Sequence, residues 1–152
     1  MNYPIFSEEY FMNEALKEAQ KAFEAEEIPV GAVVVINNQV IARAHNSTQM
    51  LNDVTAHAEM IAITSASNYL GAKYLSDCTI FVTLEPCLMC ASALAWSQID
   101  RIVYGTSDPK AGFMKHGKGV LHPKTEVHSG ILEKPCSELL VRFFQERRDL
   151  KN

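Results

Sequence analysis

A layered α/β domain is what this sequence predicts, and three observations carry the prediction. Apolar residues repeat at helical spacing near both ends of the chain, short β-branched runs lie between them, and neither repeat nor linker interrupts the order. The 152 residues, 47% of them apolar and 21% charged, suffice for one domain over residues 1–152 with a core of its own.

Ser7, Glu8 and Glu9 have the form of a helix start, a capping hydroxyl followed by acids at the positive end of the dipole. Phe11, Ala15, Ala19, Ala22 and Phe23 then recur on one face to about Glu26, and Pro29 ends the pattern. Gly31–Ile36 is a β-branched run, Asn37-Asn38 has turn chemistry, and residues 39–44 return as a second strand. A polar loop over residues 45–53 leads to a helix expected from near Thr55 to about Asn68. Strands over residues 79–83 and 101–105 flank a short helix that opens at Pro86-Cys87 and carries Cys90, Ala91, Leu94 and Ala95. Residues 106–125 are glycine-rich and basic and receive no assignment. A short strand is expected at residues 126–128, and Leu139, Leu140, Phe143 and Phe144 mark a final amphipathic helix.

No apolar run approaches the roughly 20 residues a membrane helix needs, and the first residues lack the basic-then-apolar form of a signal peptide. Four cysteines, two of them in Cys87-Leu88-Met89-Cys90, fit a reducing compartment and a metal or redox site better than a disulfide scaffold. A cytoplasmic protein is expected. The net charge of −4 argues against a nucleic-acid partner, but its distribution matters more. Residues 1–27 hold seven glutamates against Lys17 and Lys21. Lys110, Lys115, Lys118 and Lys124 follow one another without an intervening acid, and Arg142, Arg147, Arg148 and Lys151 sit near the C-terminus. These stretches are either phosphate-binding or solvated faces.

The chemistry is concentrated in His57-Ala58-Glu59 and Pro86-Cys87-Leu88-Met89-Cys90, each at the start of an expected helix. Cys87 and Cys90, three apart, share one side of a first turn. His57 and Glu59 converge only at a helix end, where first-turn side chains reach past the terminus. Two such ends aimed at one metal would set two positive dipole ends beside the thiolates. Three N/S ligands leave zinc one open position, the mark of a catalytic site, where the pKa of water falls towards about 7. Glu59 then serves better as a proton carrier than as a fourth ligand. Alone, the Cys-x-x-Cys also describes a redox motif or structural zinc, and His-Ala-Glu alone says almost nothing. Together and in this order they favour a zinc enzyme acting on an amino-bearing aromatic carbon.

His-Ala-Glu followed by Pro-Cys-x-x-Cys is the signature of the zinc-dependent cytidine and nucleotide deaminase superfamily, which this chain resembles. Pro29-Val30-Gly31-Ala32-Val33, Thr55-Ala56-His57-Ala58-Glu59, residues 83–91, Val103-Tyr104-Gly105, Asp108-Pro109-Lys110-Ala111-Gly112 and residues 143–148 resemble the bacterial tRNA adenosine deaminases. The resemblance implies a cytidine deaminase-like three-layer α/β/α sandwich with a mixed sheet of about five strands. It also implies one zinc ion per subunit on His57, Cys87 and Cys90, Glu59 as the catalytic proton shuttle, and a homodimer acting on a tRNA anticodon arm. The reaction implied is hydrolysis of the wobble adenosine to inosine.

By motif position the resemblance sets Asn46 on the base or ribose, the Ala58 backbone on the base edge, the Cys87 amide at the developing charge, and Asp108 near the RNA backbone or sugar. As local sequence, Asn46 also reads as a turn residue and Asp108 as a helix cap. Possible RNA contacts are Lys110, Lys115, Lys118, Arg147 and Arg148. Residues 70–78 resemble bacterial guanine deaminases, so a free nucleobase or nucleoside is the alternative substrate, although the 28–32 and 108–112 segments favour tRNA. Cys78 and Cys136 are expected to be buried, Trp96 to be core or dimer contact, and Phe143 and Phe144 to pack the last helix.

Overall fold

The computed structural model describes residues 2–151. Its elements run α1 (Glu8–Glu24), β1 (Gly31–Ile36), β2 (Gln39–His45), α2 (Ala58–Leu70), β3 (Thr79–Leu84), α3 (Leu88–Ser97), β4 (Arg101–Thr106), β5 (Glu126–Ser129) and α4 (Glu133–Lys151). Among the described residues, no helix is long and apolar enough to cross a membrane.

The five strands form one mixed sheet in the order β2-β1-β3-β4-β5. β1 is antiparallel to β2 and β3, whereas β3, β4 and β5 are parallel. The β1–β2 hairpin turns on Asn37 and Asn38, with φ of 49° and 60°, the paired positive values that a tight twisted hairpin requires and asparagine tolerates.

Alternation along the strands builds two cores. Val33, Val35, Phe81 and Val103 point to one face and pack with Phe11, Met12 and Ala15 of α1 and Cys136 of α4. Their neighbours Ala32, Val34, Ile80, Val82 and Ile102 point to the other, against Ala58, Ala62 and Ala66 of α2 and Ala91 and Leu94 of α3. The three-layer α/β/α sandwich with a mixed five-strand sheet is therefore the observed fold.

Departures from the expected boundaries have local causes. α2 begins at Ala58 rather than near Thr55 because Asp53 Oδ1 accepts hydrogen bonds from the Thr55 amide and hydroxyl, closing a turn before the helix. His57 is thereby left at the N-cap. The unassigned stretch after β4 holds two short 3₁₀ turns, Phe113–His116 and Lys118–Val120. Trp96 is 83% exposed, which removes the core alternative for it within the chain. Cys78 and Cys136 are buried, as is Phe143, while Phe144 stays 42% exposed and packs α4 only in part.

Candidate metal centre and active site

All the segments that build the site leave the sheet at one end of its strands. Val30 enters β1 there, opposite the end of β2 at His45, and β3 and β4 finish beside each other at Leu84 and Thr106. α2 and α3 begin near the same end, with His57 and Cys87 as their N-cap residues in extended backbone. Caps are ordinarily Ser, Thr, Asp or Asn, whose oxygens accept a first-turn amide. Here the two cap side chains turn towards each other instead.

His57 Nδ1 lies 3.6 Å from Cys87 Sγ and 3.4 Å from Cys90 Sγ. All three donor atoms fall within 4.8 Å of one another. A tetrahedral ion with Zn–N of about 2.0–2.1 Å and Zn–S of about 2.3 Å separates its ligand atoms by roughly 3.5 Å. The donor set therefore fits zinc in both chemistry and spacing. Glu59 is not a member of that set.

The electrostatics of this cluster follow from its packing. Cys90 donates a hydrogen bond to Cys87, and this, with the Cys90 amide and the His57 charge, lowers the Cys87 thiol to about 5. The same hydrogen bond, followed by burial, pushes Cys90 up. Cys87 is thus the ready thiolate of the pair. Burial lifts the Glu59 carboxyl to about 7, with the Cys87 charge adding to the rise and its own backbone amide and His57 opposing it.

A cavity of about 170 Å³ lies before the cluster, walled by apolar Ile28, Val30, Leu84 and Ala111 and by polar Asn46, His57, Glu59, Glu85, Cys87 and Asp108. A larger groove of about 700 Å³ shares Ile28, Leu84, Asp108 and Ala111 with it and adds Lys110, Phe144 and Arg148.

Three comparisons bear on what such a centre is. The family model for the cytidine and deoxycytidylate deaminase zinc-binding region matches residues 6–106. The chain belongs to that deaminase family. A tRNA-specific adenosine deaminase from Agrobacterium fabrum is 44% identical over 144 residues, spanning 91% of this chain and 95% of the relative. Among solved structures, one from a study of A-to-I editing by tRNA:A34 deaminases at the wobble position superposes with a TM-score of 0.82 at 43% identity. It covers 86% of this chain and 99% of that one. A guanine deaminase from Bacillus subtilis superposes at 0.63 and 37% identity, covering 70% of this chain and 66% of that one. The family's zinc-binding region contains the His57, Cys87 and Cys90 set, so this deaminase is a zinc-dependent hydrolase.

Within this deaminase the expected site residues fall in three places. His57, Glu59, Cys87, Asn46 and Asp108 line the cavity, and Cys90 is buried behind it. Ala58 is buried as the first residue of α2 and its side chain does not line the cavity. Asp108 also shapes its own turn, its Oδ1 accepting from the amides of Lys110 and Ala111.

The candidate RNA contacts are dispersed. Lys110 and Arg148 line the groove. Lys115 Nζ donates to the Lys110 carbonyl, and Lys118 is exposed on the second 3₁₀ turn. Arg147 is engaged elsewhere, donating to the Glu26 carbonyl at 2.8 Å and lying over the Phe143 ring at 4.9 Å.

Sequence reasoning missed three buried acids, Glu18 of α1 and two that hold loops. Glu27, 2% exposed, accepts the amides of Gln49 and Met50 at 3.0 and 2.8 Å, and so holds the loop that follows Asn46. Glu85, 5% exposed, accepts the amides of Asp108 and Met114, each at 2.9 Å. In the sequence Glu27 ends an acidic run, whereas Glu85 is the sole acid between Asp77 and Asp100, and the apolar strand end before it signals burial.

Proposed function

We propose that this chain hydrolyses the wobble adenosine of a tRNA anticodon arm to inosine, releasing ammonia. The observation that carries the substrate is the 43–44% identity along nearly the whole length of relatives described as tRNA adenosine deaminases. A cavity of about 170 Å³ that shares four lining residues with a groove of about 700 Å³ suits one inserted base with its flanking nucleotides outside. An anticodon base is already unpaired, so drawing it into the cavity costs little.

When bound at His57, Cys87 and Cys90, zinc supplies the Lewis acid that activates water beside the amino-bearing carbon. The Glu59 carboxylate would take one proton from the attacking water and pass it to the ring nitrogen as the carbon–oxygen bond forms. It would then take the remaining hydroxyl proton and give it to the amine as the carbon–nitrogen bond breaks, leaving a ring carbonyl and ammonia. The buried carboxyl pushed up to about 7 suits a group that both accepts and donates near neutral pH. Asn46 hydrogen-bonds the base or ribose, the Ala58 backbone meets the base edge, and Asp108 stands at the mouth where base and sugar pass. Lys110 and Arg148, on the groove, and Lys115 and Lys118 beyond it serve the phosphates. Arg147 contributes there only by giving up its hold on Glu26.

We infer further that the working unit is a homodimer. Glu59, itself buried, is the sole charged residue of α2, and α3 has none, yet these two helices form an outer layer. Trp96, Leu88 and Tyr69 on them, and Met50, Leu51 and Val54 in the preceding loop, are exposed. Helices this apolar are ordinarily covered, and a second copy of the chain would cover them. The four free cysteines accord with a cytoplasmic setting.

A free nucleobase remains the second reading, favoured by the likeness to a guanine deaminase, which covers less of the chain. Inosine formation in an unmodified anticodon arm, run beside ammonia release from guanine, cytosine and adenosine, separates the two. Inosine at the wobble position with little free-base turnover is expected; free-base turnover with the RNA untouched would reassign the substrate.

A further inference from the structure

We propose that Glu85 is a positioning residue whose carboxylate holds the 106–114 loop against the Cys87 segment and so sets one wall of the substrate cavity. Its two oxygens divide their work. Oε1 accepts the Asp108 amide and Oε2 the Met114 amide, so one buried side chain clasps the loop at two points six residues apart. The backbone joins at the same place. The Glu85 amide donates to the Thr106 carbonyl at 2.8 Å, the Phe113 amide donates to the Pro86 carbonyl at 2.9 Å, and Cys87 forms an isolated antiparallel bridge with Gly112.

Gly112 supports this independently. A Cβ at that position would lie 2.2 Å from Glu85 Cδ and 2.2 Å from Oε2, and 2.5 Å from the Asp108 carbonyl oxygen. The loop approaches the carboxylate so closely that only glycine fits.

The two functions of the loop follow from this clasp. Asp108, which lines the cavity, is one of its two points, and Ala111, on the cavity, and Lys110, on the groove, lie between them. Glu85 also borders the cavity, but both its oxygens are occupied by amides, so it steers the wall rather than moving protons. Two inward N–H groups need two acceptors, and only a carboxylate offers both; a glutamine would turn its own N–H₂ on one of them. The consequence for substrate rests on the deaminase reading above. The clasp itself does not.

Glu85→Gln and Gly112→Ala act on the same contact from its two sides, and the second variant keeps the carboxylate if the first folds poorly. Hydrogen exchange of the Asp108 and Met114 amides should accelerate roughly tenfold in each, the size of one lost charge-assisted hydrogen bond. With an anticodon arm as substrate, KM should rise about tenfold while kcat and the zinc content stay near wild type. The double variant should be no worse than the poorer single one. Unchanged exchange overturns the clasp even if the RNA is not a substrate. Faster exchange with unaltered KM overturns the role in the cavity wall. Loss of zinc, or a fall in kcat at constant KM, would instead make Glu85 a support of the metal centre.

Discussion

Replacing Glu59 by glutamine tests the catalytic assignment with almost no change of shape. The side chain is 4% exposed on the second residue of α2, so an isosteric amide fits the same space and leaves the metal donors in place. The size of the loss depends on whether another group can carry protons. Of the titratable side chains lining the cavity, His57 and Cys87 belong to the donor set. Both oxygens of Glu85 accept backbone amides, and Asp108 Oδ1 accepts two more. Of these other lining carboxylates only Asp108 Oδ2 is left without an amide, and it sits on the loop rather than on the helix starts that carry the donors. A positioned general acid or base contributes about 10²–10⁴-fold, and with no substitute on those helix starts the upper half of that range applies, about 4–5.5 kcal/mol of barrier. The assay is single-turnover inosine formation in an anticodon arm under saturating enzyme, with zinc content and thermal midpoint measured on the same preparation. Wild-type zinc and stability with a rate down about a thousandfold or more is the expected result. A variant that keeps a tenth of the wild-type rate would refute the proton-carrier role.

Other perturbations probe the frame, the metal, the dimer and the RNA. Gly31→Ala would set a Cβ 2.1 Å from the Ala15 carbonyl oxygen and 2.4 Å from the Ala19 nitrogen, both rigid backbone of α1. At about 3 kcal/mol of overpacking and 2–4 °C per kcal/mol for a chain this long, the midpoint should fall by roughly 6–12 °C in a thermal melt. An unchanged midpoint would mean that α1 is not seated on β1 at Gly31. Chelation should open Cys87, half-buried, to a maleimide, while Cys78 and Cys136 stay buried and inert; peptide mapping that finds those two labelled first contradicts the packing. The proposed homodimer would cover Trp96, 83% exposed in the single chain, so wild type should sediment as a dimer and Trp96→Glu as a folded monomer; a variant that stays dimeric locates the interface elsewhere. Removing Lys115 and Lys118 together should flatten the slope of log affinity against log salt by roughly 1.4, two single-strand phosphate contacts. Identical slopes would place this stretch outside the RNA footprint.

How much of this was legible depended on whether a signal was local. Helix and strand periodicity located α1 and β1 to β4 within a few residues and marked the apolar face of α4 without its bounds, because apolar spacing reflects which face meets the sheet. The metal set was legible for the same reason: Cys87 and Cys90 share a first turn, and His57 and Glu59 share a helix start. The 106–125 stretch was not, since its conformation is dictated by a residue about 25 positions away. Glu85 reaches across to Asp108 and Met114, and nothing within the stretch announces that tie. Glu27 likewise reaches Gln49 and Met50 from beyond the end of α1. Trp96 was misjudged in part because a large apolar side chain reads as core, whereas whether a second chain covers it is not encoded in one chain's pattern.

The two loop-holding glutamates, Glu27 and Glu85, suggest why this architecture can keep one chemistry while changing what it accepts. The donors and Glu59 sit on the first turns of α2 and α3, helices packed on the sheet by Ala58, Ala62, Ala66, Ala91 and Leu94. Their geometry is set by the core. Asn46 and Asp108 instead sit at the entrances to loops held chiefly by Glu27 and Glu85. Between the ties, residues 109–111 are exposed and can be rebuilt without disturbing the helices behind them, whereas Gly112 bridges Cys87 and Phe113 is buried in the core with Ala91 and Leu94. Substitutions at residues 109–111 should therefore move substrate preference with little effect on zinc binding. Substitutions at Ala62 or Ala91, fully buried under the donors, should affect zinc binding and stability together. The layering that makes the metal site rigid is thus also what leaves its mouth free to vary.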